Sequence, residues 1–230
     1  MTGVTMLIRS ARLLVLLFFS LPVSLFAQSP GVELSNGGTD PSSATPVNTP
    51  LSAPLPRYHE LSVYTGQSFG YPMIMSNLKD QRLFVIGLRY TQFWHAFRHM
   101  NMNWNADIKP LALYSNDIYG PREYTYGGGV TLGAQFVPHT HWRCQPVFDM
   151  DGGMIAFTKD TPVPDSRRLN LTFDFGPGLY IPVSEGQAVK VGAWFYHFSD
   201  AFTAPRNPNM DTFLLYAGFT FRNFPAFSHR

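Results

Sequence analysis

Residues 194–221, WFYHFSDAFTAPRNPNMDTFLLYAGFTF, hold two runs of alternating apolar residues joined by a polar loop that contains Asn207-Pro208-Asn209. Side chains alternate across an extended strand, so every second residue shares a face. On the first run the odd positions Val189, Val191, Ala193, Phe195, His197 and Ser199 fall together. On the second, Asp211, Phe213, Leu215, Ala217, Phe219 and Phe221 do so, opposite Thr212, Tyr216, Gly218, Thr220 and Arg222. The two runs read as an antiparallel hairpin. His197, Ser199 and Asp211 sit at its loop end, on faces that are otherwise greasy.

The same two-residue period continues upstream. From Arg57 the chain divides into eight alternating segments, roughly 58–68, 82–93, 102–115, 124–137, 141–157, 168–182, 187–199 and 210–222. A tilted strand needs about ten residues to cross a bilayer, and these segments supply them. Their faces are consistent. In the second, Phe84, Ile86, Leu88 and Tyr90 oppose Gly87, Arg89 and Thr91. In the third, Trp104, Ala106, Ile108, Pro110 and Ala112 oppose Asn103, Asn105, Asp107 and Lys109. In the fifth, Trp142, Phe148, Met150 and Met154 oppose Arg143, Gln145, Asp149 and Asp151.

Alternation alone does not separate a soluble sandwich from a membrane barrel, whose faces are reversed. Three features favour the membrane. The polar faces are built of Gly, Thr, Asn and charges of both signs, which suits a narrow polar lumen. Aromatic residues mark strand ends at Trp94, Trp104, Trp142, Tyr180 and Phe221, as in interfacial girdles. Connections after the odd-numbered segments are longer or richer in turn residues than those after the even-numbered ones, as in bacterial barrels. The expected fold is all-β, an eight-stranded antiparallel up-and-down transmembrane β-barrel spanning residues 57–230.

Two segments precede it. Residues 1–27 carry Arg9 and Arg12, then the apolar run Leu13–Phe19, and end at Ala27, the pattern of a secretory signal peptide. Residues 28–56 are dense in Pro, Ser, Thr, Gly and Asn without an apolar period, and read as a disordered linker. Without Arg9 and Arg12 the basic and acidic residues are equal in number, so the charge balance gives no sign of nucleic-acid binding. The single Cys144 excludes an internal disulfide.

A serine hydroxyl is a poor nucleophile unless a base takes its proton, and that base needs a partner to hold its tautomer. His197 and Ser199 are two apart on one strand, and Asp211 opens the adjacent strand on the same face, within reach of an imidazole. The roles this spacing allows are Ser199 as nucleophile, His197 as base then acid, and Asp211 as orienter. Polar residues capping strands at the headgroup level would have the same spacing.

His197-Phe198-Ser199-Asp200-Ala201, the Asn-Pro loop, Asp211 and the run LLYAGFTFR resemble the end of the lipid A 3-O-deacylase family (PagL-type, acyloxyacyl hydrolase-like). The resemblance covers roughly residues 190–222 by motif and reaches back to about residue 58 by strand pattern alone. It implies an outer-membrane esterase that removes the 3-O acyl chain of lipid A or lipopolysaccharide. The catalytic residues would be His197, Ser199 and Asp211, with no cofactor, no metal and the site toward the outer leaflet. Either a monomer or a homodimer is compatible with it. Asp200, Ala201 and Arg206 are the expected oxyanion and substrate-positioning residues.

Three positions depart from the family pattern. Asp200 stands where the pattern has Asn, and a carboxylate repels an oxyanion that an amide would donate to. If the oxyanion is held by backbone N–H groups, Asp200 must turn away, be protonated or pair with a cation such as Arg206. Phe202 replaces a small residue, and Asp211 replaces a Glu. Arg122, Arg167, Arg168 and Arg206 fall in the expected outer loops, where they could meet lipid A phosphates, though nearby acids nearly balance them.

The remaining clusters read as structural. His95 with His99, and His139 with His141, lie in turns at the opposite rim. Gly127-Gly128-Gly129 fits close backbone packing in a barrel wall. Asp149 and Asp151 share a lumen face with Arg143, as in an ion-pair network. The rival functional reading is a non-enzymatic small barrel, structural, adhesive or lipid-binding, descended from deacylases.

Overall fold

The computed structural model of the chain describes residues 58–70, 72, 74–76, 78–116, 123–206 and 208–222. The signal segment, the linker, Arg122 and Asn207 lie outside them. Eight antiparallel strands close on themselves: β1 (His59–Gly70), β2 (Arg82–Ala96), β3 (Met100–Asn116), β4 (Glu123–Pro138), β5 (Gln145–Thr161), β6 (Arg167–Ser184), β7 (Gln187–Ser199) and β8 (Met210–Arg222). Each strand pairs with its sequence neighbours, and β1 pairs with β8, so the sheet has no edge. Closure of this kind lets a sheet cross a bilayer with every strand paired on both sides.

The two faces separate as the alternation requires. Leu88, Ile108, Val130, Leu132, Met150, Met154, Leu171 and Leu215 are exposed on the outside and form the apolar belt. The polar residues of the same strands are buried in the lumen. Arg89 is their hub, with ion pairs to Asp107 (2.7 Å), Asp149 (3.1 Å) and Asp151 (2.6 Å). Tyr64 donates to Asp107, Trp194 Nε1 to Asp149, and Lys109 Nζ to Thr131 Oγ1. Toward the end where the chain enters β1, Glu60 pairs with Lys190 (2.9 Å) and Arg222 (2.8 Å). A buried charge is tolerable only when paired, and this lumen is filled by such pairs and by aromatic rings. Glycines make room for the filling: a Cβ at Gly87 would collide with the Tyr64 ring, and one at Gly127 with Phe157.

Three sequence-based expectations are corrected here. Arg143 lies in the turn before β5, and the guanidinium that neutralises Asp149 and Asp151 is that of Arg89, from across the lumen. Tyr180 is not part of an outer girdle. It is buried at the lumen mouth, with Lys190 and Arg222 over its ring, because it falls on the inward parity of β6. Ala112 points inward although Pro110 and Ile108 point out. The β3–β4 register slips between Lys109 and Ala112, beside a proline that has no N–H to give the ladder.

Strands β1, β3, β5 and β7 end at one rim, that of the two longest connections, between Gly70 and Arg82 and between Ser199 and Met210, and the connections 97–99, 139–144 and 185–186 lie at the other. The β2–β3 connection is shorter than the sequence suggested, because β2 runs on to Ala96 and Phe97 N–H closes the turn on Met100 O. His197, Ser199 and Asp211 lie at the long-loop rim.

Candidate active site

Strand parity decides which way the triplet points. On β7 the inward residues are Ala188, Lys190, Trp194, Tyr196 and Phe198, so His197 and Ser199 project from the outside of the barrel. The register of β7 on β8 sets His197 opposite Asp211, and that of β6 on β7 sets Leu171 opposite Ser199 and Phe173 opposite His197. The site is therefore a polar island on the face that carries the apolar belt.

His197 and Asp211 are in contact: Nδ1 lies 2.7 Å from Asp211 Oδ1. An ionised carboxylate only accepts, so Nδ1 is the donor, and in the neutral ring this leaves the lone pair on Nε2. Both residues are buried although they face outward. The Phe173 ring lies 4.9 Å from the imidazole centroid on one side. On the other, the β1–β2 loop folds over the carboxylate, and the N–H groups of Met75 and Ser76 both donate to Asp211 Oδ2, the latter at 2.9 Å. Ser199 is next on the same face and half-buried; no hydrogen bond joins its hydroxyl to His197 in this structure. Catalytic hydrogen bonds of this kind are often long in unliganded enzymes and tighten when substrate binds.

The chain after Ser199 makes a strained turn. Ala201 (φ 55°) and Phe202 (φ 61°) both adopt the left-handed conformation that side chains disfavour. Thr203 holds the turn shut, donating N–H (3.1 Å) and Oγ1 (2.7 Å) to Asp200 O. Arg167, at the start of β6, donates through Nε and Nη2 to Thr203 O and ties the turn to the neighbouring strand. Backbone strain of about 1–3 kcal/mol per residue persists only where the surroundings impose it, and it concentrates at functional sites.

Asp200 is on the inward parity and buried. Burial raises its carboxyl above the ordinary carboxylate range, opposed by the N–H groups of Phe202 and Thr203 and by the charge of Arg167. The cation that acts on Asp200 is thus Arg167, whereas Arg206 is exposed on the β7–β8 loop. Of the residues singled out from sequence, the structure brings His197 and Asp211 together, puts Ser199 beside them, sets Ala201 in the strained turn and directs Asp200 into that turn. Sequence reading missed Met75, Ser76, Phe173 and Thr203. The first two act through main-chain N–H groups, which every residue type except proline possesses, so no motif could have announced them. Among the described residues no cluster of three or more His, Cys, Asp and Glu could hold a metal.

A closed eight-stranded barrel with an apolar outer belt and a filled polar lumen defines the class, a small barrel of the bacterial outer-membrane type. The crystal structure of the outer membrane enzyme PagL matches it with a TM-score of 0.51 at 15% identity, covering 69% of this chain and 97% of that one. Neisserial surface protein A matches with a TM-score of 0.46 at 13% identity, covering 72% and 96%. OprG of Pseudomonas aeruginosa matches at 0.43 and 10% identity, covering 72% and 95%. No curated protein matches the sequence. The family model for lipid A 3-O-deacylase (PagL) matches residues 85–220, and the chain belongs to that family.

Proposed function

We propose that this protein is an outer-membrane esterase that hydrolyses the 3-O-linked acyl chain of lipid A, with Ser199 as nucleophile, His197 as general base and acid, and Asp211 as orienter. The observation that carries the reading is the 2.7 Å contact between His197 Nδ1 and Asp211 Oδ1 on the lipid-facing surface, two residues from a serine on the same face. Family membership supports the substrate class.

In the first step His197 Nε2 takes the Ser199 proton as Oγ attacks the ester carbonyl. The tetrahedral oxyanion is held by main-chain N–H groups of the strained turn that follows Ser199. Collapse breaks the bond to the sugar oxygen, which leaves as a hydroxyl with the proton from His197, and the acyl group remains on Ser199. Water then attacks the acyl-enzyme, gives its proton to His197, and releases the fatty acid as Ser199 recovers its hydrogen. Asp211 stabilises the imidazolium formed in each half-reaction without itself being protonated.

The surface beside the triplet suits an acyl chain. Phe173, Phe175, Phe195 and Phe213 form a continuous aromatic apron on the outer face, with centroids of successive rings 5.3–6.2 Å apart. A site on the outside of the barrel lets the substrate stay in the membrane, with its acyl chains beside the apolar belt. If the long-loop rim faces outward from the cell, the triplet lies at the level of the outer leaflet. Mass spectrometry of lipid A from cells with and without the protein tests the reading. Loss of one hydroxyacyl group is expected with the natural sequence and not with Ser199→Ala; unchanged lipid A in both would favour the non-enzymatic barrel.

A further inference from the structure

We infer that Ser76 is a positioning residue of the catalytic apparatus, and that the loop between β1 and β2 holds Asp211 in the one orientation that serves His197. The inference rests on the triad assigned above. The two oxygens of Asp211 are divided: Oδ1 faces His197 Nδ1, and Oδ2 takes the N–H groups of Met75 and Ser76. An aspartate bound through one oxygen alone can swing about its last torsion, which is broad. Two main-chain donors on the other oxygen remove that freedom, and hydrogen bonds to an ionised acceptor are roughly twice as strong as neutral ones.

The loop is in turn locked to the chain that leads into Asp211. Ser76 Oγ donates to Asn209 O (2.8 Å) and accepts from Leu78 N–H (3.1 Å), while Asn209 Nδ2 donates back to Met75 O (2.9 Å). Asn209 is in the left-handed conformation (φ 60°), which asparagine tolerates and which turns its amide back toward the loop. The donors and the acid therefore move as one unit. Ser76 does two things in it: its N–H holds the carboxylate, and its hydroxyl fixes the N–H in place.

Two measurements on the full barrel in detergent test this. In proton NMR, the hydrogen on His197 Nδ1 should give a far-downfield resonance that Asp211→Asn removes. Ser76→Ala is expected to broaden or remove it and Ser76→Thr, which keeps the hydroxyl, to retain it. In steady-state kinetics, Ser76→Ala should lower kcat about tenfold to a hundredfold, the scale of a misplaced catalytic group, with KM within about twofold. The same change made in an Asp211→Ala background should cost nothing, because a residue that acts through Asp211 has nothing left to position. An equal loss in both backgrounds, an unaltered resonance in Ser76→Ala, or no such resonance in the natural sequence would overturn the inference. If lipid A is not hydrolysed at all, the proposed function fails while the resonance comparison still decides the role of Ser76. Should Ser76→Ala not fold, Asn209→Gly keeps the left-handed backbone while removing the bond to Met75 O, and is expected to give the same loss of the resonance.

Discussion

The lumen and the outer face of this barrel both bury carboxylates, and they use them in opposite ways. Inside, Asp107, Asp149 and Asp151 converge on one guanidinium, and their remaining lone pairs are taken by Tyr64, Trp194, Tyr216, Gln135 and Asn105. Outside, Asp211 is paired to a single imidazole and to two loop amides, and the histidine keeps one ring nitrogen uncommitted toward a half-buried serine. Burial therefore does not separate the two sites. The difference lies in what the carboxylates are bonded to: a guanidinium inside, and outside an imidazole whose second ring nitrogen is the open end of the chain, next to a serine.

The largest expected effects come from removing that open end. Ser199→Ala and His197→Ala should each lower ester hydrolysis by at least about a thousandfold. Heat-modifiable gel mobility, the sign of a folded barrel, should be unchanged in both, because the residues end a strand. Retained activity in Ser199→Ala would mean that the outer island is only another polar cap. Asp211→Ala should be less damaging than either, by about tenfold to a hundredfold, since the acid orients the base and does not itself react.

The lumen should behave in the reverse manner. Arg89→Met leaves three carboxylates facing one another with their shared cation gone, and breaking a buried pair of this kind costs about 3–5 kcal/mol. Unfolding in urea should show that loss, while the kcat of the variant that remains folded stays close to normal. A large fall in kcat with little change in stability would show that the two faces are coupled.

The smallest effect belongs to Asp200. Its carboxyl lies beside the turn that follows Ser199, and an asparagine of nearly the same size removes the charge there. Asp200→Asn should keep the rate or raise it modestly. Because burial lifts the Asp200 carboxyl above its unfolded value, the folded state binds more protons in that interval, and stability falls slightly as pH rises through the carboxylate range. The urea midpoint of the natural sequence should therefore fall relative to that of Asp200→Asn as pH rises through that range. A difference between the two that does not change with pH would show that Asp200 is not its source.

Much of this is legible in the sequence, because strand alternation is a local property. The period of two assigned the faces of β2 and β8 correctly and put His197, Ser199 and Asp211 on one side, since each judgement needs only a residue and its neighbours two places away. The same reasoning failed at Ala112, where one register slip beside Pro110 reverses the parity of every residue that follows. It also failed for the partner of Asp149 and Asp151. Arg143 is near in sequence, but Arg89 reaches them across the closed barrel, a proximity that only circumference and shear create.

By itself, then, the sequence determined the strand count, the greasy outer face, the polar lumen and the identities of the three side chains at the rim. These follow from side-chain chemistry read at a fixed spacing. The tertiary structure alone decided that Asp211 faces the ring with one oxygen and the β1–β2 loop with the other, that Asp200 points into its own turn, and that Arg167 ties that turn down. Each of these depends on main-chain N–H and C=O groups that every residue carries alike, and on segments distant in the chain that meet only when the barrel closes.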